Sequence, residues 1–375
     1  MRTEFTGPLP PRGPVMHWTP EQQLVGYRSR EMIEPVRVVG NGGQVRTLPL
    51  ASHQISPHWT WEGQVMDVER YMAAWRVAGV LVLKDGQVLL ERYGLGRTKD
   101  DRWDSQSATK SVTPLLVGAA IQDGHVKSVN DPVTSYIPEL KGSAYEGVSV
   151  RQLMTMTSGV KFDDDYVHPD GDGTKSWAAP FVNAVDPIVS YMRDLPRADQ
   201  PGTKFSYKSP DAHLAGMLVI NATGKSLSEY LTNKIWRPYG MENHGYWIVD
   251  AAGNERGDSG LLVTLRDFAR LGQFMLEGGR ANGVQVLPPD WVADATRAQV
   301  PFAGSPGGAT GYGYYWWIYK DGYAALGYGG QAIFVYPKDK VVIGVNSAWP
   351  ESRNHESALA QLAFFEALHA AAVEA

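Results

Sequence analysis

The sequence predicts a mixed α/β protein in which one antiparallel sheet is built from strands near both ends of the chain and is flanked by helices. Apolar runs around Asp85-Gly86 indicate an early hairpin. Short aromatic and β-branched segments return between 314 and 345. The region from 125 to 255 shows helical segments and long loops without convincing strands. We therefore expect a helical domain inserted into the sheet domain, with a functional site at their junction.

Taken along the chain, residues 1–60 are rich in Pro and Gly, and we expect an extended arm over the body. Residues 61–124 and 256–375 form the predicted α/β domain, and 125–255 the helical domain. The expected helices are 66–75, 151–157, 186–193, 212–222, 226–236, 264–276, 289–295 and 357–372. The expected strands are 80–83, 88–90, 314–318, 323–328, 332–336 and 341–345.

Composition excludes several classes of function. The net charge of −5 and the lack of a basic run argue against a nucleic-acid partner. There is no cysteine, so disulfides and thiol nucleophiles are excluded, which fits a cytoplasmic protein. No signal-peptide core or long uncharged apolar run indicates a membrane partner. The nine histidines lack metal-binding spacing, so we expect neither a metal nor another cofactor.

The most informative motif is Ser107-Ala108-Thr109-Lys110, which precedes a helical apolar pattern. Residues three apart on a helix are neighbours, so the motif places an amine beside a hydroxyl that it could activate. We expect Asp104 or Ser105 to cap the helix, and Pro114 to kink it. A second copy, Ser158-Gly159-Val160-Lys161, has the pattern of a helix end entering a loop, and we favour Ser107.

Other segments could supply the remaining groups of an acyl-transfer site. Tyr207 lies in a predicted loop before a helix, where it could relay a proton. Gly329-Gly330 predicts a tight hairpin that leaves the backbone N–H of Tyr328 near a strand end. The aromatic segment 312–317 is a candidate pocket wall. The acidic residues between 163 and 172 either lie in a solvated loop or attract an amine-bearing substrate.

Three segments, in this order, resemble the three motifs of the penicillin-recognising serine hydrolases, a superfamily that includes class C β-lactamases and family VIII esterases. The segments are Ser107-Ala108-Thr109-Lys110, Tyr207-Lys208-Ser209 and the strand-turn from Gly327 to Gln331. Within it the chain is most similar to the 6-aminohexanoate-dimer hydrolases, from about residue 25 to the C-terminus. Further similar segments are 31–35, 154–161, 164–167, 266–272 and Gly330-Gln331. The resemblance implies the β-lactamase-like fold, an antiparallel sheet flanked by helices with an inserted helical domain.

The resemblance also implies roles. Ser107 is the nucleophile, Lys110 the base and Tyr207 the proton relay, while the backbone N–H groups of Ser107 and Tyr328 form the oxyanion hole. Tyr166 matches a tyrosine that contacts the substrate amide. We add Asp258, Trp316, Trp317 and Gln331 as candidate substrate-binding residues.

The chain departs from the family pattern at three places. Ser209 stands where the second motif often has Asn. Ala325-Leu326-Gly327 replaces Lys-Thr-Gly or a segment that begins with His. Because that cation usually binds a substrate carboxylate, its replacement argues against a true β-lactamase. Asp258 stands where the nylon-dimer enzymes have Asn, and this difference argues against efficient nylon-dimer cleavage.

We therefore predict a cytoplasmic serine hydrolase that cleaves a small-molecule amide or ester through an acyl-enzyme. It would use no cofactor and have no nucleic-acid or membrane partner, and a homodimer is left open. An acyltransferase and a non-catalytic ligand-binding module on the same fold are the alternatives.

Overall fold

The computed structural model describes residues 7–302, 307–351 and 354–375, so the first six residues of the predicted arm lie outside it. The strands are β1 Val36–Val39, β2 His58–Trp61, β3 Gln64–Asp67, β4 Val77–Lys84, β5 Gln87–Tyr93, β6 Arg102–Asp104, β7 Gly245–Ile248, β8 Leu261–Thr264, β9 Arg280–Ala281, β10 Val284–Gln285, β11 Val300–Pro301, β12 Gly311–Tyr312, β13 Trp317–Ile318, β14 Tyr323–Gly327, β15 Gln331–Tyr336 and β16 Val341–Ser347. The helices are α1 Pro20–Arg28, α2 Val68–Ala74, α3 Thr113–Gln122, α4 Val150–Met154, α5 Asp172–Trp177, α6 Pro187–Arg193, α7 Ser209–Thr223, α8 Leu227–Leu231, α9 Arg237–Tyr239, α10 Leu265–Leu276, α11 Trp291–Ala295 and α12 His355–Glu374.

The large sheet has eight strands in the order β11-β12-β13-β14-β15-β16-β4-β5, and every adjacent pair is antiparallel. Late strands pair with early ones where β16 meets β4, which confirms the prediction of a sheet built from both ends of the chain. Asp85 and Gly86 join β4 to β5 with φ values of 49° and 77°. Those values fit the twisted two-residue turn that Asp-Gly favours.

A second sheet, β1-β7-β8-β6, was not predicted. Its strand β7 lies inside the segment 125–255, so the expectation of a strand-free middle was wrong. Strands of three or four residues give little alternation, and β8 is buried along its whole length, so the period-two pattern is lost. This sheet lies beside the nucleophile motif, because β6 ends at Asp104.

The segment 7–60 is not simply extended. It contains α1, whose start is fixed by reciprocal hydrogen bonds between Thr19 and Gln22, and it supplies β1 to the second sheet. The high Pro and Gly content concealed this capping box. The predicted boundaries of the arm and of the two domains remain predictions.

Most predicted helices are present with small shifts at their ends. The predicted helix 151–157 ends at Met154, and the predicted helix 226–236 is α8 followed by a π-helical turn at Thr232–Trp236. The helix after Ser107 also differs from its prediction. Gln106–Ser111 forms a 3-10 turn, and the α-helix begins only at Thr113. Pro114 therefore lies in the first turn of α3, where a missing N–H costs nothing, and the predicted kink at a mid-helix proline was wrong. Neither Asp104 nor Ser105 caps α3, which starts after Val112.

Helices cover both faces of the large sheet. Ile333, Val335 and Val342 point toward α10, which approaches closely because Gly272 lacks a side chain; an added Cβ would lie 2.6 Å from Ile333. The alternate residues Phe334 and Ile343 pack with α12 on the other face. No helix in the described part of the chain is long and apolar enough to span a membrane.

Candidate active site

Ser107 lies on the 3-10 turn Gln106–Ser111, which directly follows β6. Gln106 adopts a positive φ of 49°, a conformation that costs a non-glycine residue about 1 kcal/mol or more. Asp104 holds it there by accepting hydrogen bonds from the Gln106 backbone N–H (2.9 Å) and side-chain amide (2.6 Å). Ser105 donates to the carbonyl of Leu261 in β8 at 2.7 Å. The second sheet therefore fixes the turn that presents Ser107.

Lys110 reaches Ser107 as the motif predicts. Its Nζ lies 3.0 Å from the Ser107 Oγ and also donates to the backbone carbonyl of Asp258 at 2.9 Å. The Lys110 side chain is buried, whereas Ser107 is partly exposed. This arrangement places a partly exposed hydroxyl beside a buried amine, which is the geometry that activation of a serine nucleophile requires.

Asp258 lies behind the lysine and forms a buried, two-bond ion pair with Arg256, with both N···O distances 3.0 Å. Burial alone would raise the pKa of Asp258, but the positive charges of Arg256 and Lys110 lower it to about 2. The Arg256 guanidinium also stacks over Trp177 at 4.2 Å from the ring centroid. The Asp258 carboxylate is thus ionised and held by Arg256, and its backbone carbonyl positions Lys110.

Tyr207 stands across the site from the lysine. Its ring centroid is 5.2 Å from the Lys110 Nζ and 6.1 Å from that of Trp317, on which it stacks. The buried Lys208 donates to the Ser206 carbonyl at 2.9 Å, and Asp164 accepts from the Ser209 backbone N–H at 2.9 Å. These contacts fix the loop on both sides of Tyr207, so its ring is held at the edge of the site.

Tyr328 begins the turn between β14 and β15, as the Gly-Gly pair predicted. Gly329 and Gly330 have φ values of 75° and 91°, which favour glycine. Gly327 lies against the nucleophile turn, because a Cβ there would be 2.5 Å from the Ser105 carbonyl oxygen and 3.1 Å from the Ala108 nitrogen. The backbone that carries Tyr328 is therefore packed directly against the backbone that carries Ser107.

Gln331 lines the site cavity but is fully buried, and its amide is committed to the protein. It donates to the carbonyls of Ser347 (2.6 Å) and Tyr328 (3.1 Å), and accepts from the Ser347 N–H at 3.2 Å. The expected substrate-binding role is therefore replaced by a positioning role, since Gln331 holds the Tyr328 turn against β16.

The predicted aromatic pocket wall is only partly present. Trp317 lines the cavity, whereas Trp316 is 1% exposed and packs edge-to-face on Tyr323 in the core. The prediction that Trp316 binds substrate was therefore wrong. The predicted strand 314–318 begins only at Trp317, after a turn in which Tyr315 has a φ of 56° and which directs Trp316 into the core. Tyr314 and Tyr315 are buried as well.

Tyr166 is buried beside the ion pair and lines a second, smaller cavity with Ser107 and Lys110. Burial and the charges of Asp164 and Asp258 raise the pKa of its phenol well above 10, so it stays neutral. Its carbonyl bonds His17 of the N-terminal segment at 2.7 Å. Its phenol is therefore neutral and buried in the wall of the small cavity that also reaches Ser107.

The second Ser-x-x-Lys motif has no comparable geometry. Ser158 is fully buried and donates to the Asp211 carboxylate at 2.7 Å, while Lys161 is exposed. Asp211 also accepts from the Tyr145 hydroxyl at 2.7 Å. This network braces the loop that carries Tyr207 and gives Ser158 a structural role.

The acidic loop is partly ordered by its own carboxylates. Asp172 accepts from the Tyr191 hydroxyl at 2.6 Å and from the Asp163 N–H at 2.9 Å, and Asp165 accepts from the Val167 N–H at 2.8 Å. Asp164 alone of this group reaches the cavity of the serine.

Two cavities meet at Ser107. The larger, about 270 Å³, runs past Tyr207 and Trp317 toward α12, and its inner walls are apolar. The smaller, about 50 Å³, is lined by charged groups, among them Arg30, Asp104 and Asp258. Burial raises the pKa of Asp104 to about 6, against the opposing charge of Arg30. Met16 touches both cavities. Sequence reasoning missed Met16, Arg30 and Arg256, which carry no motif.

Within the described ranges, Asp186, His213 and Asp250 could bring metal-ligating atoms within 4.8 Å of one another. Asp186, however, already accepts from the N–H groups of Ile188 and Val189 at the start of α6 and from Asn254. His213 lies 3.1 Å from the same carboxylate, so the cluster is explained as a buried helix cap.

Comparison with known proteins identifies the fold and the family. The chain is 29% identical over 299 residues to the 6-aminohexanoate-dimer hydrolase of Paenarthrobacter ureafaciens, covering 76% of each chain. A Bacillus anthracis structure proposed to be a 6-aminohexanoate-dimer hydrolase superposes with a TM-score of 0.82 at 24% identity, covering 96% of this chain and 98% of that one. A family VIII carboxylesterase has a TM-score of 0.60 at 17% identity, covering 79% and 95%. The Beta-lactamase family model matches residues 67–366, and the chain therefore belongs to the Beta-lactamase family.

Proposed function

We propose that this protein is a serine hydrolase that cleaves a small amide or ester through an acyl-enzyme on Ser107. The observation that carries the proposal is the 3.0 Å contact between the Lys110 Nζ and the Ser107 Oγ at the mouth of a cavity. The similarity to an amide hydrolase and to a carboxylesterase structure supports the reaction class. The burial of Ser158 supports the choice of nucleophile.

In the first step the amine of Lys110 acts as the base and takes the proton of the Ser107 hydroxyl as Oγ attacks the substrate carbonyl. The carbonyl oxygen becomes an oxyanion, which the backbone N–H groups of Ser107 and Tyr328 stabilise. The close packing of Gly327 on the nucleophile turn keeps these two backbone segments together before substrate arrives. The donors therefore need no rearrangement as charge develops.

Collapse of this intermediate expels the alcohol or amine, which must receive a proton. The Tyr207 hydroxyl passes it from the Lys110 ammonium, whose Nζ lies 5.2 Å from the Tyr207 ring centroid. Water then attacks the acyl-enzyme ester, Lys110 accepts the proton of that water, and Ser107 leaves with a proton regained from the lysine. The enzyme returns to its starting state, with the acid released as product.

The assignment is tested with a fluorophosphonate probe and intact mass measurement. We expect one adduct on the wild-type chain, mapped to the peptide that contains Ser107 and absent from Ser107→Ala. Ser158→Ala is the matched control and should still be labelled. An adduct on Ser158 would contradict the choice of nucleophile. Absence of any adduct, together with no Ser107-dependent hydrolysis of simple esters, would favour the ligand-binding alternative.

A further inference from the structure

The larger cavity at Ser107 has walls that indicate what part of a substrate it accepts. Beyond the serine it is lined by Leu326 of β14, Phe334 of β15, and Leu362 and Phe365 of α12. Leu326 and Leu362 are only partly buried by the protein itself. Apolar side chains that remain uncovered in a concave site next to a nucleophile are typical of a binding surface for an apolar group.

We infer that this cavity binds an uncharged, apolar substituent of the substrate, attached to the carbonyl that Ser107 attacks. The inference rests on the proposed hydrolase function and specifies its substrate class. An alkyl or aryl group could belong to the acyl half or to the leaving half of the substrate, and the two share the same recognition chemistry.

The described residues around the cavity disfavour a substrate carboxylate. Among the described residues that line it there is no lysine, arginine or histidine, and Asp164 is the sole carboxylate. The Oδ1 of Asp164 accepts from the Ser209 N–H, at the end of the cavity that holds Tyr207. A substrate carboxylate placed against Leu326, Phe334 and Leu362 would be buried without a partner, which is strongly unfavourable.

The position of Leu326 directs the substituent into this space. Leu326 precedes Gly327, which packs against the turn of Ser107, and lies two residues before Tyr328, whose backbone N–H is the second proposed oxyanion donor. A group attached to a carbonyl between Ser107 and Tyr328 therefore passes the Leu326 side chain. On the far side, Gln361 donates to the Gly330 carbonyl at 3.0 Å, which ties α12 to the same turn and fixes the depth of the cavity.

The size of the two cavities limits the substituent. An apolar cavity of about 150 Å³ can hold a benzene ring, so a cavity of about 270 Å³ has room for roughly six to ten carbon atoms. The smaller cavity, about 50 Å³, has room for a few water molecules and is lined by Arg30, Asp104 and Asp258. An apolar chain therefore fits the larger cavity and is excluded from the smaller one.

The test uses two series of esters on the full-length protein. One series varies the acyl chain from two to ten carbons with p-nitrophenol as leaving group, and the other varies the alcohol with a fixed acetyl group. In one of them we expect kcat/KM to rise roughly twofold to fourfold per methylene, up to about six to eight carbons, and then to fall. A terminal carboxylate on the best chain should lower kcat/KM at least tenfold relative to its methyl ester.

A matched pair of variants on α12 distinguishes an effect of filling the cavity from an effect of adding a tryptophan elsewhere on the helix. Leu362→Trp fills the cavity and should move the optimum to a chain at least two carbons shorter. Ala370→Trp adds the same side chain on an exposed position of the helix and should leave the chain-length profile unchanged. Flat profiles in both series, or an optimum that Leu362→Trp does not move, would overturn the inference even if Ser107-dependent hydrolysis is intact. Loss of that hydrolysis for every ester would instead refute the proposed function.

Discussion

The buried ion pair between Asp258 and Arg256, next to Lys110, gives a quantitative prediction. In wild type, Asp258 is 3% exposed and bonds Arg256 through two contacts of 3.0 Å. Asp258→Asn removes the charge while keeping the shape, which leaves the Arg256 guanidinium buried without its anion. Removing one partner of a buried pair typically costs about 3–5 kcal/mol, so we expect the free energy of unfolding at pH 7 to fall by about 3 kcal/mol.

The pH dependence of this loss follows from the pKa of Asp258. Its pKa is about 2 in the folded protein, below the ordinary 3.8. Each pKa unit corresponds to about 1.4 kcal/mol, so ionisation contributes about 2 kcal/mol of stability above the unfolded pKa. This contribution disappears as the pH falls through the folded pKa, and about 1 kcal/mol of it is lost by pH 3. The difference in the free energy of unfolding between wild type and Asp258→Asn should therefore be smaller at pH 3 than at pH 7.

Urea denaturation, monitored by tryptophan fluorescence, measures the loss of stability at pH 7 and its change between pH 7 and pH 3. Asp321→Asn, which changes an exposed aspartate, is the control and should match wild type within about 0.5 kcal/mol at both pH values. If Asp258→Asn is as stable as wild type at pH 7, the pair does not hold Arg256 as described. A large loss that stays constant from pH 7 to pH 3 would mean that the cost arises from packing and not from charge.

Three further substitutions test the geometry of the site. Lys110→Ala should lower kcat for ester hydrolysis about 10³-fold near neutral pH, because the general base is removed; a rate close to wild type would require another base. Gly327→Ala should reduce kcat at least tenfold and lower the free energy of unfolding by about 1–3 kcal/mol, because the new Cβ would lie 2.5 Å from the Ser105 carbonyl oxygen. Unchanged kinetics and an unchanged melting temperature would contradict this close approach. Gln331→Leu should cost about 1–3 kcal/mol in thermal unfolding, because the polar backbone of Ser347 loses its partners; no loss would show that Gln331 is not needed to position the turn.

The parts of the fold that could be predicted from sequence are those with a local signal. Asp85-Gly86 specifies its own turn, and the long amphipathic helix α10 shows the expected spacing. The second sheet lacked such a signal, because β6, β7 and β8 are short and largely buried. Whether a four-residue apolar run becomes a strand depends on a partner far away in the chain, and sequence periodicity does not report that partner.

The candidate site likewise contains some residues that carry a local sequence signal and others that do not. Ser107 and Lys110 were found because their contact is three residues apart on a single turn. Arg256 and Met16 approach the serine from distant segments, and no motif marks them. Trp316 and Trp317 show the limit of composition. The two tryptophans are adjacent in sequence, but a turn ends between them, so that Trp316 is buried in the core and Trp317 begins β13 and lines the cavity.

The pairing of β4 with β16 has a consequence for synthesis of the protein. β4 leaves the ribosome long before its partner strand β16 and the turn that carries Tyr328, which lie more than 200 residues further along the chain. A growing chain that already contains Ser107 and Lys110 therefore lacks the Tyr328 turn and the α12 wall of the cavity. If Ser107 is the nucleophile, as proposed, a nascent polypeptide that stops before β14 would carry the Ser-x-x-Lys motif without a complete site.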